Sequence, residues 1–165
     1  MSTKCRIIPS VPFVGLYGSH SSPWRAECIR QLDVQGVAWF DPTDERWDDI
    51  SFESGAQNRP LIAELVKNEI EALRQAACVV LHFAAALGPD DRRSGKDLPV
   101  SPSLASRFEL GLLAGLGTPT FLHVEAQVLG RDYLWAAANL HENIIDCKSL
   151  DQAVQSAISI VGAAQ

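Results

Sequence analysis

Two glutamates, Glu69 and Glu109, each fall on an apolar surface of a predicted helix. When residues 60–77 are wound at about 100° per residue from Ile62, Glu69 lies at roughly 340°, inside the apolar stripe. A carboxylate there must be paired, hydrogen-bonded or protonated, since burial of a bare charge is costly. Desolvation would raise its pKa and suit it to proton transfer near neutral pH. The alternatives are an ion pair with Arg25 or Arg107, or a rotated helix that leaves Glu69 in solvent.

The second glutamate is Glu109, in the predicted helix over residues 103–116. That helix is apolar on nearly every side, with Arg107 and Glu109 as its only charges, which predicts burial on both faces. Near the amino end, the helix dipole would keep Glu109 ionised and therefore nucleophilic. A surface carboxylate that merely compensates the dipole is the alternative. Glycine inside a helix costs about 1 kcal/mol relative to alanine, so close packing is favoured by three glycines, Gly111, Gly115 and Gly117.

These two carboxylates together indicate one kind of chemistry. Cleavage of a glycosidic bond uses one ionised carboxylate, which attacks or stabilises an oxocarbenium-like centre, and a second that moves protons. The sequence therefore predicts catalysis by Glu109 as nucleophile and Glu69 as proton donor or acceptor.

The elements that must position these side chains alternate between short apolar runs and helix-period segments, which is typical of an α/β fold. Strands are predicted at residues 13–17, 37–40, 78–83, 119–124 and 143–147. Crossover helices between them imply a parallel sheet of about five strands in one three-layer domain over residues 1–165. Ser149 and Gln152 form a capping box at the start of the last helix. Ligands of such sheets bind outside the carboxyl ends of the strands.

Residues predicted at those strand ends are candidates for holding a substrate. Residues 18–22 precede a helix and could bind phosphate through backbone N–H groups and hydroxyls, although a plain Ser-rich turn explains them equally well. Two aromatic side chains could stack on a base, and two serines could orient Glu109 or a phosphate. The full set of predicted binding residues is Tyr17, Gly18, Ser19, His20, Asp41, Trp47, Ser103 and Ser106.

Composition narrows the class of partner. The chain has 165 residues, with 20 acidic against 14 basic side chains and a net charge of −6, which argues against nucleic-acid polymers. Its four cysteines are far apart, which favours reduced thiols in a cytoplasmic protein over disulfides or a metal site. It contains no apolar run long enough to span a membrane or to form a signal-peptide core, so a soluble protein is expected.

Several short motifs together resemble the nucleoside 2-deoxyribosyltransferase-like family. The resemblance covers residues 13–124 and is carried by LYGS at 16–19 with WR at 24–25, by WFDP at 39–42, and by FELG at 108–111 ahead of GTP at 117–119. The helix that contains Glu69 and leads into AACVV at 76–80 also matches in its spacing.

The resemblance implies a flavodoxin-like or Rossmann-like fold and cleavage or transfer at the N-glycosidic bond of a nucleoside or nucleoside 5′-monophosphate. The family's nucleophilic Glu falls on Glu109 and its acidic helix residue on Glu69. Its aromatic residue at the end of the first strand falls on Tyr17, and the Asp or Asn that ends the second strand falls on Asp41. The scheme implies a glycosyl-enzyme intermediate and neither a metal nor another cofactor.

Two departures from the family pattern leave other functions open. Ala77 stands where these proteins usually have Asp, and Ser103 stands where an acidic residue often precedes the nucleophile. Hydrolysis without transfer is therefore an alternative, as is a non-catalytic nucleotide-binding sensor or effector on the same fold. An interaction domain without a small ligand is a third interpretation. The apolar helix surfaces predict a homodimer or larger homo-oligomer.

Overall fold

The computed structural model describes residues 7–19, 23–43, 58–84, 104–128 and 130–163. Within these ranges strands and helices alternate along the chain. The strands are β1 (Phe13–Gly18), β2 (Ala38–Phe40), β3 (Cys78–Phe83), β4 (Thr120–Val124) and β5 (Ile144–Asp146). The helices are α1 (Trp24–Val34), α2 (Arg59–Gln75), α3 (Leu104–Leu116), α4 (Arg131–Ala138) and α5 (Leu150–Gly162).

All five strands form one parallel sheet in the order β2-β1-β3-β4-β5. This is the strand order of flavodoxin-like doubly wound folds, in which the direction of winding reverses between the first and third strands. Helices α1 and α5 pack on one face, whereas α2, α3 and α4 pack on the other. The prediction of a three-layer α/β fold with a five-stranded parallel sheet is confirmed.

Burial on both faces explains why β3 is apolar at every position except His82, which is itself buried. Val79, Leu81 and Phe83 join the core beneath α2 and α3, while Cys78 and Val80 join the core beneath α1 and α5. A central parallel strand covered on both sides has no polar face, so its sequence does not alternate. The predicted strand and the observed one therefore coincide at residues 78–83.

The last helix begins as its sequence predicts. The Ser149 hydroxyl accepts a hydrogen bond from the backbone N–H of Gln152 at 3.1 Å, which satisfies one of the free donors of the first turn of α5. The Gln152 side chain in turn accepts from the backbone N–H of Lys148 at 2.8 Å. The Ser149 half of the predicted capping box is confirmed, whereas Gln152 binds the backbone N–H of the residue before the cap rather than that of Ser149.

The helix predicted at residues 60–77 forms with small differences at its ends. It ends at Gln75 because Ala76 adopts an extended conformation that leads directly into β3. Leu65 and Leu73 are buried one turn on either side of Glu69, so the predicted apolar stripe does face the core. Glu69 itself is half-buried rather than fully enclosed.

Helix α3 differs from its prediction on its outer side. Leu110 and Leu113 are buried, but Phe108 is 58% exposed. Among the described residues, nothing lies within 4 Å of a Cβ placed at Gly111 or Gly115. The expectation that α3 is buried on both faces is therefore wrong for the described part of the chain, and these glycines do not mark close packing there. Self-association through this apolar face stays a prediction. No helix in the described ranges is long and apolar enough to cross a membrane.

Candidate active site

The site lies at the carboxyl end of β1, next to the point where the strand order reverses. Five ionisable side chains from five different segments gather there: Tyr17, Arg25, Asp41, Glu69 and Glu109. The charges of the other four all act on the Tyr17 hydroxyl, which shows that they share one region of the protein. This is the edge of the sheet where doubly wound folds bind their ligands.

The surroundings of Glu109 disfavour the ionised form of its carboxyl. It is 7% exposed, and its Oε2 is a buried atom that lacks a hydrogen-bond partner among the described residues. Burial and, next, the charge of Glu69 raise the pKa of Glu109 from 4.5 to about 7. The charge of Arg25 and a hydrogen bond from the Gly18 backbone oppose this rise in the pKa. Both protonation states are therefore populated near neutral pH.

This pKa corrects the expectation that Glu109 is held ionised by the helix dipole. Helix α3 begins at Leu104, so Glu109 lies beyond the first turn, where the effect of the dipole has largely decayed. Desolvation by the surrounding core is the larger influence and favours the neutral carboxyl.

Arg25 has the largest number of hydrogen bonds at the site. Its guanidinium donates to the backbone carbonyl of Leu16 at 3.4 Å, of Gly18 at 3.0 Å and of Ser19 at 2.7 Å. Its Nε also lies 3.2 Å from Asp41 Oδ1, in an ion pair whose two side chains are each 7% exposed. The sequence indicated Arg25 as a possible ion-pair partner for Glu69 and as part of the WR motif, but not this role in joining the ends of two strands.

A signal for Arg25 was nevertheless present in the sequence. Arg25, Cys28 and Leu32 share the helical spacing of one inward stripe on α1, and all three are buried. An arginine on such a stripe must find partners inside the protein, since an unpaired buried charge is costly.

Asp41 directly follows β2 and is 8% exposed. Besides the ion pair with Arg25, its Oδ1 accepts hydrogen bonds from the backbone N–H of Thr43, at 2.9 Å, and from the Thr43 hydroxyl. The Oδ1 atom therefore holds Arg25 and the turn that leaves β2, and contact between Asp41 and a substrate stays a prediction.

Tyr17 is fully enclosed, with 0% of its surface exposed. Its hydroxyl donates to the backbone carbonyl of Glu69 at 3.0 Å and so connects β1 to the middle of α2. Burial and the neighbouring carboxylates raise the pKa of Tyr17 well above its ordinary value, which keeps the hydroxyl protonated. The expected stacking on a base needs an exposed ring face, and the structure provides a positioning contact for Glu69 in its place.

The turn after β1 is held by main-chain and hydroxyl hydrogen bonds. The Ser19 N–H donates to the His82 carbonyl at 2.9 Å, and the Ser19 hydroxyl accepts from the Ala84 N–H at 3.0 Å. Gly18 has a positive φ of 115°. Only glycine fits here, because a Cβ on Gly18 would stand 2.0 Å from the His82 carbonyl oxygen.

The remaining predicted site residues divide into two groups. Ser106 is buried, 1% exposed, and lies one helical turn before Glu109 on the same side of α3. His20, Trp47 and Ser103 lie outside the described residues. Within the described ranges, no group of three or more His, Cys, Asp or Glu side chains is arranged to hold a metal ion.

The raised pKa of Glu109 predicts a pH-dependent cost to stability. Below about pH 4.5, Glu109 is protonated in both the folded and the unfolded protein, so it costs no more stability than a neutral side chain. Above that pH the cost grows, and it reaches its full size once the pH has passed the folded pKa of about 7. Glu109→Gln should therefore raise the free energy of unfolding at pH 8 by about 3 kcal/mol or less and leave it nearly unchanged at pH 4. Urea unfolding at both pH values measures this. Glu142→Gln, at an exposed position, is the control, and an equal effect of Glu109→Gln at both pH values would contradict the assignment.

Comparison with known proteins identifies no family for this chain. No model of a protein family and no curated protein matches the chain. Among solved structures it is similar to the CMP N-glycosidase BcmB of Clostridium botulinum, with 11% sequence identity and a TM-score of 0.43. The alignment covers 87% of this chain and 96% of that one. A similarity of this size does not determine an activity.

Proposed function

We propose that this protein cleaves the N-glycosidic bond of a nucleoside or nucleoside 5′-monophosphate, with Glu109 as the nucleophile and Glu69 as the proton donor and acceptor. The observation that carries this proposal is the buried Glu109 carboxyl at the carboxyl end of β1, whose Oε2 has no hydrogen-bond partner among the described residues, together with the nearby half-buried Glu69, whose charge raises the pKa of Glu109. Both were singled out by their helical positions, and the resemblance to the nucleoside 2-deoxyribosyltransferase-like family assigns them the same roles.

The charges around Glu109 favour a cationic transition state. Arg25 is a buried cation that already pairs with Asp41 at 3.2 Å, while Glu69 and Glu109 both add negative charge when ionised. When Glu109 is ionised, the carboxylates among these four groups therefore carry more negative charge than the single positive charge of Arg25. Such a site stabilises a developing oxocarbenium ion better than a developing anion.

The reaction has two steps that balance. The Glu109 carboxylate attacks the anomeric carbon, the bond to the base nitrogen breaks, and Glu69 supplies the proton that the leaving base takes up. This leaves a glycosyl ester on Glu109. Water then attacks the same carbon, Glu69 takes its proton, and the ester bond breaks to release the free sugar and restore Glu109. With a second base in place of water, the same intermediate gives transfer.

Base release is the direct test of this proposal. The protein is incubated with a panel of ribo- and deoxyribonucleosides and their 5′-monophosphates, and free base is quantified by chromatography. Release of base from at least one class supports the proposal. If calorimetry shows tight binding of a nucleotide while no member of the panel releases base, the proposal is wrong and the protein is a nucleotide-binding sensor.

The pH dependence of the reaction should report on Glu69 as well as Glu109. Attack needs Glu109 ionised while Glu69 still holds a proton, so the active form is the singly protonated pair, and kcat/KM of the wild type should fall as the pair loses its last proton, with a midpoint near pH 7. In Glu69→Gln this falling limb should disappear, and the midpoint that is left, a rise with pH as Glu109 ionises, should lie at lower pH, since the charge of Glu69 raises the pKa of Glu109. The rate itself should fall by roughly 10²-fold or more with the loss of proton transfer.

Rate measurements over a range of pH test both parts. Glu71→Gln, an exposed change on the same helix, is the matched control and should leave the midpoint in place. A midpoint in Glu69→Gln equal to that of the wild type would contradict the coupling of the two carboxyls.

A further inference from the structure

The pairing between β1 and β2 stops before β1 ends, because β2 is the shorter strand. The two strands pair in the register Phe13↔Ala38, Val14↔Trp39 and Gly15↔Phe40, and β2 ends there, whereas β1 continues to Gly18. Among the described residues, no strand pairs on that side with the carbonyls of β1 beyond this point. Buried backbone carbonyls without a partner are costly, so another group must satisfy them.

The Arg25 guanidinium takes the place of the missing part of β2. It binds the carbonyls of Leu16 and Gly18 in the last part of β1, and that of Ser19 just after it, at distances of 3.4, 3.0 and 2.7 Å. The same group is paired at 3.2 Å with Asp41, the first residue after β2. One buried side chain therefore joins the carboxyl ends of both strands.

This turn is also the backbone that contacts the proposed nucleophile. The Gly18 backbone forms the hydrogen bond to Glu109, and the Trp24 indole Nε1–H adds a further hydrogen bond of 2.8 Å to the Ser19 carbonyl. The Gly18 and Ser19 carbonyls that Arg25 holds lie in this same turn, so their position sets that of the Gly18 N–H. A shift of the turn would move both this N–H and the Asp41 carboxylate relative to Glu109.

We propose that Arg25 is a positioning residue whose guanidinium, by joining the ends of β1 and β2, holds the backbone that carries the Gly18 N–H beside Glu109 and ties this turn to Asp41. This role rests on the proposed function for its catalytic consequence, but its structural part stands on the hydrogen bonds alone. Arg25 acts through the turn and through its charge rather than by contact with the reacting atoms.

The groups around Glu109 determine how the loss of the Arg25 guanidinium would change the pKa of Glu109. Glu69 on α2 adds negative charge, while Arg25 on α1 and the Gly18 backbone on β1 favour the ionised carboxylate. Arg25→Met keeps much of the apolar stem but removes the charge and the donors, so the carboxyl should bind its proton more tightly. Arg25→Lys keeps the charge but loses the planar fork of donors, so the turn should loosen while the charge remains.

Two measurements separate these effects. The first is a pH titration of the Glu109 carboxyl by carbon NMR of glutamate-labelled protein, with the signal assigned by its loss in Glu109→Gln. Its midpoint should rise in Arg25→Met and change much less in Arg25→Lys. The second is amide hydrogen exchange at Gly18 and Ser19, which should become at least about tenfold faster in Arg25→Lys, because the carbonyls of the turn lose their fixed donors.

The matched control is Arg30→Met, which removes an exposed arginine of the same helix that pairs with Glu27. It should leave both measurements at wild-type values. Once a substrate is known, Arg25→Lys should lower kcat by roughly 10²-fold with little change in KM. Unchanged exchange at Gly18 and Ser19 in Arg25→Lys would overturn the proposal. An unchanged Glu109 midpoint in Arg25→Met would overturn its electrostatic part.

These outcomes are independent of the proposed activity. Exchange and titration are measured on the free protein, so a wild type that releases no base from any nucleoside leaves this test intact. If Arg25→Met does not fold, the exchange rates of Arg25→Lys decide the matter.

Discussion

Glu109→Gln is expected to abolish base release, with kcat at least about 10⁴-fold below the wild type, because the amide cannot form a glycosyl ester. The substitution preserves the size of the side chain and its ability to accept the hydrogen bond from the Gly18 backbone. Removal of a buried group whose pKa is raised to about 7 should not destabilise the fold above neutral pH. The loss of rate can therefore be assigned to the missing carboxylate rather than to unfolding.

The measurement is base release by chromatography, with calorimetry to show that the variant still binds its substrate. Glu142→Gln is the matched control, since this glutamate is exposed and remote from the site, and its rate should equal that of the wild type. Undiminished base release by Glu109→Gln, or by Glu109→Ala, would contradict the assigned mechanism.

Gly18→Ala is expected to have the largest effect on folding, with a loss of about 3–5 kcal/mol in the free energy of unfolding. Two physical causes combine there. The φ of 115° is unfavourable for alanine, and the new Cβ would stand 2.0 Å from the carbonyl oxygen of His82. That oxygen belongs to the neighbouring strand β3 and is bonded to the Ser19 N–H, so it cannot move aside without loss of another hydrogen bond.

Gly36→Ala separates these two causes. Gly36 also has a positive φ, 66°, but nothing in the described part of the chain lies within 4 Å of a Cβ built on it. This control should lose only about 1–2 kcal/mol, the cost of a left-handed backbone for alanine. Urea unfolding of both variants measures the difference, and equal losses would show that the close approach to β3 has no energetic effect.

The fold could be predicted from the sequence because the patterns that indicate it are local. The strand at residues 78–83 and the helix start at Ser149 depend on neighbouring residues, and both appear in the structure as predicted. Alternation of such runs with helices implies a parallel sheet by general rules of chain connection. The position of Glu69 on the core side of α2 follows from the same periodicity, with Leu65 and Leu73 buried beside it.

The site was only partly accessible, because its contacts join distant segments. Arg25 binds carbonyls of β1 and the carboxylate of Asp41, and no spacing in the sequence indicates that these partners meet. Tyr17 was predicted to contact a base, yet it donates its hydroxyl to the carbonyl of Glu69 on another helix. The Arg25 contacts depend on where β2 ends relative to β1, which is a property of strand register, whereas the Tyr17 contact depends on how α2 packs against β1.

The sequence by itself determined the architecture and the identity of two unusual carboxyls, Glu69 and Glu109, since helical periodicity shows which side chains face the core. Only the tertiary structure decided the protonation of Glu109. From the sequence alone, the helix dipole predicted an ionised group, but burial and the charge of Glu69 raise its pKa to about 7. The reason is physical: desolvation and charge coupling depend on the three-dimensional surroundings of a group, whereas the dipole of a helix acts within its first turn.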